Sequence, residues 1–318
     1  MKMKKPSENL RLLPLDLPKA GFHHFLCAWL YKEDAVVVLV DPGPSSTMPA
    51  LLQALDEMNV RHIDHILLTH IHLDHAGGLG LLLERYPGAR VTCHPRGVPH
   101  LVRPLKLWEI SKKVLFETAV LYGEPSPVAE KFLESQSGFR AGDVAVQAYE
   151  TPGHAPHHLC FRIGDVLFTG EAAGIFYPMA GDPYLRIAAP PGFDLQDYRN
   201  SLRMLRTIDA SVICYGHWGR SHQIRTLLDL AAAQTELWPM VIEKYNALES
   251  PLFEESVLKT LLLEDPGLSR FHDLPADVRE RETYFLGNSF RGIRLALTRK
   301  EIRNDPHRDA GKGDAGLP

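Results

Sequence analysis

The sequence has few cysteines, no long hydrophobic run and no excess of positive charge. Its 318 residues include four cysteines, which are far apart and form no Cys-x-x-Cys pair: Cys27, Cys93, Cys160 and Cys214. Each lies in or beside an apolar, strand-like segment, where a reduced cysteine behaves as a small hydrophobic residue. The pattern therefore predicts buried structural thiols in a reducing, cytoplasmic compartment, rather than disulfides or cysteine metal ligands.

Other absences exclude classes of function. No apolar run approaches the ~20 residues that span a bilayer, and the initial MKMKKPSENL has lysines without an apolar core behind them. We therefore expect neither a membrane protein nor a secretory signal. The formal net charge of −4 and the pI near 6.5 predict no basic surface for nucleic acid. A small-molecule substrate is the expected partner, and the C-terminal helices offer a homodimer interface as an alternative.

Short β-rich runs dominate the first two thirds of the chain, several of them bounded by Gly, Pro or Asp. The predicted strands are 22–31, 35–40, 63–69, 89–94, 144–150, 158–163, 166–169 and 211–216. Apolar residues at helical spacing predict helices at 47–58, directly after His75, and at 194–208. Strands and helices thus alternate, which favours an α/β fold.

What the sequence does contain is a cluster of histidines at the end of one predicted strand. The segment ILLTHIHLDHAGG places His70, His72, Asp74 and His75 within six positions. Imidazole and carboxylate groups are what zinc, iron and manganese take from proteins. In a loop after a strand, the first two histidines can aim at one point, and Asp74 and His75 at a neighbouring point. The alternative interpretation is a polar loop that happens to be rich in histidine.

Three further residues of ligand type follow later strand patterns. His154 lies in TPGHAPHH, Glu171 in LFTGEAAG and His217 in CYGHWG. Each is flanked by glycine where a strand pattern stops. Two metals need more ligands than one loop can provide, so these residues favour a metal site over a fortuitous polar loop.

The motifs resemble those of the metallo-β-lactamase-fold superfamily, which includes glyoxalase II-type thioesterases, lactonases, nucleases and persulfide dioxygenases. The matching segments occur in the family's order: Asp41 in VDPG, then THIHLDHAGG, TPGH, FTGE and GHWG. The sequence is most similar to a glyoxalase II-like prokaryotic subgroup with TPGHAPHH and GEAAG segments. The resemblance implies an αββα sandwich, in which two mixed sheets lie between helical layers and the metals sit at one edge.

The resemblance also suggests a domain organisation. We predict a metallo-β-lactamase-fold domain at 10–220, with a helical insertion at about 95–135. A helical C-terminal subdomain is predicted at 221–302. The last segment, 303–318, is polar and rich in glycine, which predicts disorder.

By the same resemblance, the site would hold two divalent metal ions, zinc by first expectation and iron or manganese as alternatives. The first metal would be held by His70, His72 and His154. The second would be held by Asp74, His75 and His217. Glu171 would bridge them, at a position where the family usually has aspartate. Two residues, Asp41 and His158, would orient the ligands without binding metal.

Hydrolysis of an ester, thioester, lactone or phosphoester is the leading hypothesis. A bound metal lowers the pKa of water from ~15.7 to about 7, which makes hydroxide available at neutral pH. Asp74 is the predicted catalytic residue, because it is placed to accept a proton or to orient the hydroxide. Two alternatives stay open. His70, His154 and Glu171 resemble the facial triad of a mononuclear iron dioxygenase acting on persulfides or thiols, and Glu171 is also compatible with a non-catalytic metal-binding protein.

The insertion and the C-terminal helices are expected to roof the metal edge, since such additions shape pockets on a rigid core. Four apolar residues of the insertion are candidates either for lining an acyl-sized pocket or for packing the insertion onto the sandwich: Leu105, Leu107, Trp108 and Phe116. Tyr177, Tyr184 and Arg186 follow Glu171 in a predicted loop and are candidates for substrate contact.

Overall fold

The computed structural model of the chain describes residues 9–304, with side chains described as far as Arg299. Two six-stranded sheets pack face to face. The first contains, in spatial order, β1 (Leu10–Pro14), β2 (Cys27–Glu33), β3 (Val36–Val40), β4 (His65–Leu67), β5 (Arg90–Thr92) and β6 (Leu133–Glu134). The second contains β14 (Arg220–Ser221), β13 (Val212–Tyr215), β10 (Val166–Gly170), β9 (Leu159–Ile163), β8 (Val144–Glu150) and β7 (Gly138–Ala141).

Both sheets are mixed. In the first, β3 to β6 pair in parallel, whereas β1, β2 and β3 pair antiparallel. In the second, β10 and β13 pair in parallel and the remaining pairs are antiparallel. Parallel neighbours end at the same edge of their sheet, so the segments that follow β4, β10 and β13 can meet there.

Helices cover the outer faces of the sheets. They are α1 (Met48–Glu57), α2 (Leu73–Ala76), α3 (Leu79–Arg85), α4 (Val98–Val102), α5 (Leu105–Leu115), α6 (Glu117–Tyr122), α7 (Leu195–Leu205), α8 (Ile224–Lys244), α9 (Leu252–Glu264) and α10 (Ala276–Asn304). None of the helices within residues 9–304 is long and apolar enough to cross a membrane. The predicted α/β sandwich with helical additions is confirmed.

The pattern of side chains explains why β3 is apolar throughout. Val38 and Val40 pack between the two sheets, whereas Val37 and Leu39 pack under the helices. Successive side chains of a strand point to opposite faces. A strand that is covered on both faces must therefore be apolar at every position.

The four cysteines are free and buried, as predicted. Burial raises the pKa of Cys27, Cys93 and Cys160 to about 12. These thiols therefore stay protonated at neutral pH, and a protonated thiol is a poor nucleophile and a poor metal ligand.

Two predicted boundaries are corrected: the start of the first predicted strand and the start of the helix near His75. β2 begins at Cys27 rather than at residue 22, because His24 has a φ of 51°, which interrupts an extended strand. The helix predicted to start after His75 instead has a first turn that begins at Leu73. Asp74 and His75 therefore lie on helical backbone, which fixes their relative direction more firmly than a loop would.

The segment after Glu171, predicted as a loop, forms a hairpin of β11 (Ile175–Tyr177) and β12 (Tyr184–Arg186). Its strands are only three residues long, too short for an alternating pattern to stand out. At the other end of the chain, α10 extends to Asn304. The first two residues of the predicted disordered tail at 303–318 are thus helical, and the rest lies outside the described residues.

The C-terminal helices α8, α9 and α10 cover the outer face of the second sheet. Leu167 and Tyr215 of that sheet share one hydrophobic core with Trp238 of α8, Leu261 of α9 and Phe290 of α10. Because sheet and helices share this core, the division at residue 220 stays a prediction.

A buried ion pair joins α10 to the β11–β12 hairpin. Arg186 donates from Nε to Oε2 of Glu282, which also accepts from the Tyr184 hydroxyl at 3.0 Å. Nη2 of Arg281 lies 3.0 Å from Oε1 of the same carboxylate. Burial by itself would raise the pKa of Glu282, but the charges of Arg186 and Arg281 outweigh it and lower the pKa to about 2.

Replacing Glu282 by glutamine is expected to lower the free energy of unfolding at neutral pH by about 3–5 kcal/mol, because two buried guanidiniums lose their shared carboxylate. The stabilisation is fully present above the unfolded-state pKa of ~4.3. It is lost as the pH falls toward the folded-state pKa of about 2. Urea unfolding of both proteins over a pH series should therefore show a difference that shrinks below pH ~4.

The matched control for this variant is Glu280→Gln, which changes an exposed glutamate of the same helix. We expect it to alter stability by no more than ~0.5 kcal/mol. A Glu282→Gln effect of the same size at every pH would contradict the ionic origin of the stabilisation.

Candidate metal centre

The predicted ligands come from separate motifs and meet at one edge of the sandwich. They follow the ends of β4, β8, β10 and β13. Two groups of side chains form there, and within each group one ligand-type atom per residue lies within 4.8 Å of the others. The first group is His70, His72, His154 and Glu171. The second group is Asp74, His75 and His217.

Glu171 contacts both groups. Its Oε2 lies 2.9 Å from Nε2 of His154 and 3.2 Å from Nε2 of His70. In the second group, Oε1 lies 3.4 Å from Nε2 of His217, and Oε2 lies 3.6 Å from Nε2 of His75. Glu171 thus reaches both groups, and the extra methylene of glutamate does not take its carboxylate away from either of them.

Asp74 and His72 lie nearest to solvent at this edge. Oδ2 of Asp74 is 3.4 Å from Nε2 of His217 and 3.8 Å from Nε2 of His75. His72 turns its Nδ1 inward, 3.1 Å from Nε2 of His154. The predicted catalytic residue is therefore reachable from outside while it stays beside two histidines of the second group.

The hydrogen bonds of Asp41 orient the imidazole ring of one histidine in each group. Its carboxylate accepts hydrogen bonds from the backbone N–H of Thr69 at 2.8 Å, the Thr69 hydroxyl at 2.6 Å and Nδ1 of His75 at 3.0 Å. Because the Thr69 hydroxyl donates to Asp41, its oxygen accepts from Nδ1 of His70 at 3.1 Å. Nδ1 of both histidines is thus engaged as a donor, so Nε2 is the nitrogen that a metal would meet.

His154 and His158 are held by the backbone. Nδ1 of His154 donates to the carbonyl of Ala188 at 3.0 Å, which again leaves Nε2 for a ligand role. Nε2 of His158 accepts from the backbone N–H of Glu171 at 3.2 Å, so its Nδ1 carries the proton and donates to Thr151 at 2.8 Å. His158 therefore positions the backbone of Glu171, in keeping with the orienting role predicted for it.

The nitrogen atoms at this edge fit a divalent metal. Nε2 of His70, His75 and His217 is buried and has no hydrogen-bond partner among residues 9–299. Burial, reinforced by His154, lowers the pKa of His72 to about 3, and burial also lowers the pKa of His70 well below its usual value. Neutral imidazole is the form that binds metal. The mixture of imidazole and carboxylate suits zinc, iron or manganese.

The charge around His75 favours a cation. Burial by itself would lower the pKa of this side chain, but the carboxylates of Asp74, Asp41 and Glu171 together raise it well above the usual value. Three carboxylates so close to one imidazole create a negative potential. A metal cation bound between them would satisfy that potential in place of a proton.

Glycine at two positions permits the close approach of the ligand segments. A Cβ on Gly170, whose φ is +49°, would lie 2.6 Å from Oγ1 of Thr69 and 2.7 Å from Nε2 of His158. A Cβ on Gly216 would lie 2.6 Å from Cε1 of His75. Any larger residue would displace the groups that orient the ligands.

The candidate metal centre opens into a cavity of about 330 Å³. Its roof comes from α5, from residues 188–192 and from α10, so the predicted roof of insertion and C-terminal helices is confirmed. The lining residues of α5 are Leu107, Ile110, Ser111, Val114 and Leu115. Those of α10 are Phe285, Asn288 and Ser289.

The other candidates for substrate contact divide by position. Leu107 and Arg186 line the cavity. Trp108 instead packs in the core between the first sheet and the helices that cover it, which agrees with the packing alternative. Leu105 and Phe116 lie on the surface, with exposed fractions of 66% and 67%.

Two groups that shape the site did not emerge from the sequence. Thr69 connects Asp41 to His70, and the Ala188 carbonyl orients His154. Thr69 directly precedes the histidine motif, so its position was a usable signal. A backbone carbonyl can be supplied by any residue, so Ala188 has no signature in the sequence.

Comparison with known proteins identifies the class of this chain. Residues 28–217 match the family model of the metallo-beta-lactamase superfamily. The match covers more than half of the chain and includes all seven candidate ligands. The chain belongs to the metallo-β-lactamase superfamily.

Among the similar proteins is the metallo-beta-lactamase fold-containing protein ST1585 from Sulfurisphaera tokodaii. It is 30% identical over 213 residues, which are 65% of this chain and 76% of that protein. The crystal structure of ST1585 superposes with a TM-score of 0.61 at 23% identity and covers 82% of this chain and 98% of that chain. At this identity, the structural likeness bears on the fold alone.

Two relatives are named as hydrolases. A hydroxyacylglutathione hydrolase from Psychromonas ingrahamii is 30% identical over 145 residues, 45% of each chain. The atrochrysone carboxyl ACP thioesterase of Aspergillus fumigatus is 28% identical over 181 residues, 57% of this chain and 46% of that enzyme. The chain thus matches less than half the length of these two enzymes.

Proposed function

We propose that the chain is a metal-dependent hydrolase that uses a hydroxide activated at a two-metal site to cleave an ester or thioester, with lactones and phosphoesters as further substrate types. The observation that carries the proposal is the position of Glu171 between the two groups. Its Oε2 faces His70 and His154, and its Oε1 faces His217. When bound, two divalent ions would supply Lewis acidity and a hydroxide at neutral pH.

Within this proposal, the two carboxylates have different roles. Both carboxylates line the cavity, but the side chain of Asp74 is 13% exposed and that of Glu171 only 6%. Asp74 is therefore the carboxylate that can orient the attacking hydroxide and accept its proton. Glu171 stays between the two ligand groups and holds them together.

The hydrogen bonds behind the ligands support this arrangement. Asp41, Thr69 and the carbonyl of Ala188 engage Nδ1 of His75, His70 and His154 and leave Nε2 facing Glu171. Such preorganisation means that little rearrangement is needed when metal binds. The roof over the site is largely apolar, and electrostatic interactions are stronger beside apolar surroundings than in bulk water.

Metal content and hydrolysis of an ester and thioester panel test the proposal on protein purified without added metal. We expect about two divalent ions per chain by elemental analysis, and about one in the His75→Ala variant. Hydrolysis should fall about 100-fold or more in that variant, a loss of ~2.7 kcal/mol of transition-state stabilisation. His62→Ala, which removes an exposed histidine, should retain both ions and full activity.

A different result would point to another activity. A single iron per chain that survives His75→Ala, together with oxygen consumption on thiols or persulfides, would replace the hydrolase by a dioxygenase centred on His70, His154 and Glu171. Two bound metals without hydrolysis of any member of the panel would favour a metal-binding protein without catalysis.

A further inference from the structure

A guanidinium with unused donors lies in the wall of the cavity. Arg186 lines the cavity and is only 1% exposed. Its Nε donates to Glu282, whereas its Nη2 is buried and has no hydrogen-bond partner among residues 9–299. A buried charged donor without an acceptor is unfavourable. The guanidinium can therefore serve an acceptor that a ligand brings into the cavity.

Asn288 of α10 adds a second donor to the same cavity. Its Oδ1 accepts a hydrogen bond from Nη2 of Arg291 at 2.5 Å. Because a guanidinium only donates, this bond identifies the other end of the amide as Nδ2. Nδ2 is buried and also lacks a hydrogen-bond partner within the described side chains. Two elements distant in sequence, β12 and α10, thus each contribute an unused donor.

Two guanidiniums and one carboxylate form the buried cluster around Arg186. Arg186 and Arg281 share the single carboxylate of Glu282. Arg281 is further engaged by the carbonyl of Gly21 and by the ring of Phe25, 4.0 Å away. The guanidinium carbon of Arg186 likewise lies over a ring, 5.6 Å from the centroid of Phe285. Of the two guanidiniums, Arg186 is the one that lines the cavity.

Most of the remaining roof is apolar. The side chains that form it are Leu107, Ile110, Val114, Leu115 and Phe285. The cavity volume of about 330 Å³ lies within the ~300–1,000 Å³ of sites that bind small molecules. Together with the apolar roof, that volume suits a short acyl group.

We propose that Arg186 and Asn288 bind a carboxylate of the substrate, so that the cavity selects a short apolar acyl group that ends in a carboxylate. N–H groups of guanidinium and amide are donors that a carboxylate accepts. Ala188, two residues after Arg186, orients His154 through its carbonyl, so one stretch of chain sets the distance between carboxylate and metal. That a bond of this acyl group is cleaved rests on the proposed hydrolase function. The carboxylate site itself does not depend on that function.

Calorimetric titration of the metal-loaded protein with glutarate, and with its uncharged diamide glutaramide, tests the site. We expect the wild type to bind glutarate about 10- to 100-fold more tightly than glutaramide. Asn288→Asp keeps the shape of the side chain but turns a donor into a carboxylate, so it should abolish the preference. Arg186→Gln should do the same, and its melting temperature is measured first because Arg186 also pairs with Glu282.

Asn200→Asp, which adds the same charge on an exposed part of α7, is the matched control and should keep the preference. A preference that persists in both Asn288→Asp and Arg186→Gln would show that glutarate binds the metals instead, and it would overturn the proposal. Equal binding of the two ligands by the wild type, or binding of neither, would overturn it as well.

The two proposals fail in different ways. If the hydrolase function is wrong, the wild type cleaves no ester, yet its preference for glutarate remains. If the carboxylate site is wrong, the wild type still cleaves an uncharged ester, but the preference is absent.

Discussion

Replacement of Asp41 by asparagine is expected to weaken metal binding at both ligand groups by about 10- to 100-fold. Asp41 belongs to neither group, but its carboxylate holds His75 directly and His70 through Thr69. An asparagine amide cannot accept all of these hydrogen bonds, and it lacks the negative charge of the carboxylate. Both histidines would lose the tautomer that directs Nε2 inward.

The measurement is competition between the protein and a series of chelators of known affinity, read out as metal per chain. Asp64→Asn is the matched control, because Asp64 accepts a hydrogen bond from the backbone N–H of Val37 in the same sheet and touches no ligand. It should reduce stability without changing metal affinity. Wild-type affinity in Asp41→Asn would show that the orienting network is dispensable.

Replacement of Glu171 by glutamine is expected to have the largest effect. Metal content should fall from about two ions per chain to one or fewer, and hydrolysis should fall about 1000-fold or more, ~4 kcal/mol. The side chain faces Nε2 of His70, His154 and His217, so an amide would lose the negative charge that two nearby cations require. Elemental analysis and steady-state kinetics on one preparation measure both effects.

The Glu171→Asp variant separates the effect of the negative charge from the effect of the side-chain length. It keeps the carboxylate but shortens the side chain by one methylene, so we expect it to hold more metal than the glutamine variant and to be less active than the wild type. Glu150→Gln, at the exposed end of β8, is the control, with a side chain that is 74% exposed. Two tightly bound metals in Glu171→Gln would mean that Glu171 does not bridge the two groups.

The ligand-type residues were predictable because their chemistry and their spacing are local. His70, His72 and His75 lie within six positions, and the apolar run before them predicts a strand that delivers them to a sheet edge. His154 and His217 were recognisable for the same reason, as imidazoles flanked by glycine after strand patterns. The structure places all of them together, whereas their roles as ligands stay predictions until metal is measured.

The elements that the sequence did not predict are short or irregular. β11 and β12 have three residues each, and their buried side chains share one hydrophobic core with α8 and α10. β1 was also missed, because its five residues include an exposed arginine and a terminal proline. In such segments, tertiary packing overrides local propensity.

The sequence by itself determined the α/β class, the burial of the cysteines and the set of side chains that can hold metal, because each depends on residue type and on spacing along one segment. Only the tertiary structure decided which nitrogen of His70, His75 and His154 faces inward, since that depends on Asp41 and Ala188, which come from distant segments. The tertiary structure also decided which polar groups line the cavity. Arg186 and Glu282 are 96 residues apart, and only packing of α10 against β12 shows that they pair and leave a donor free.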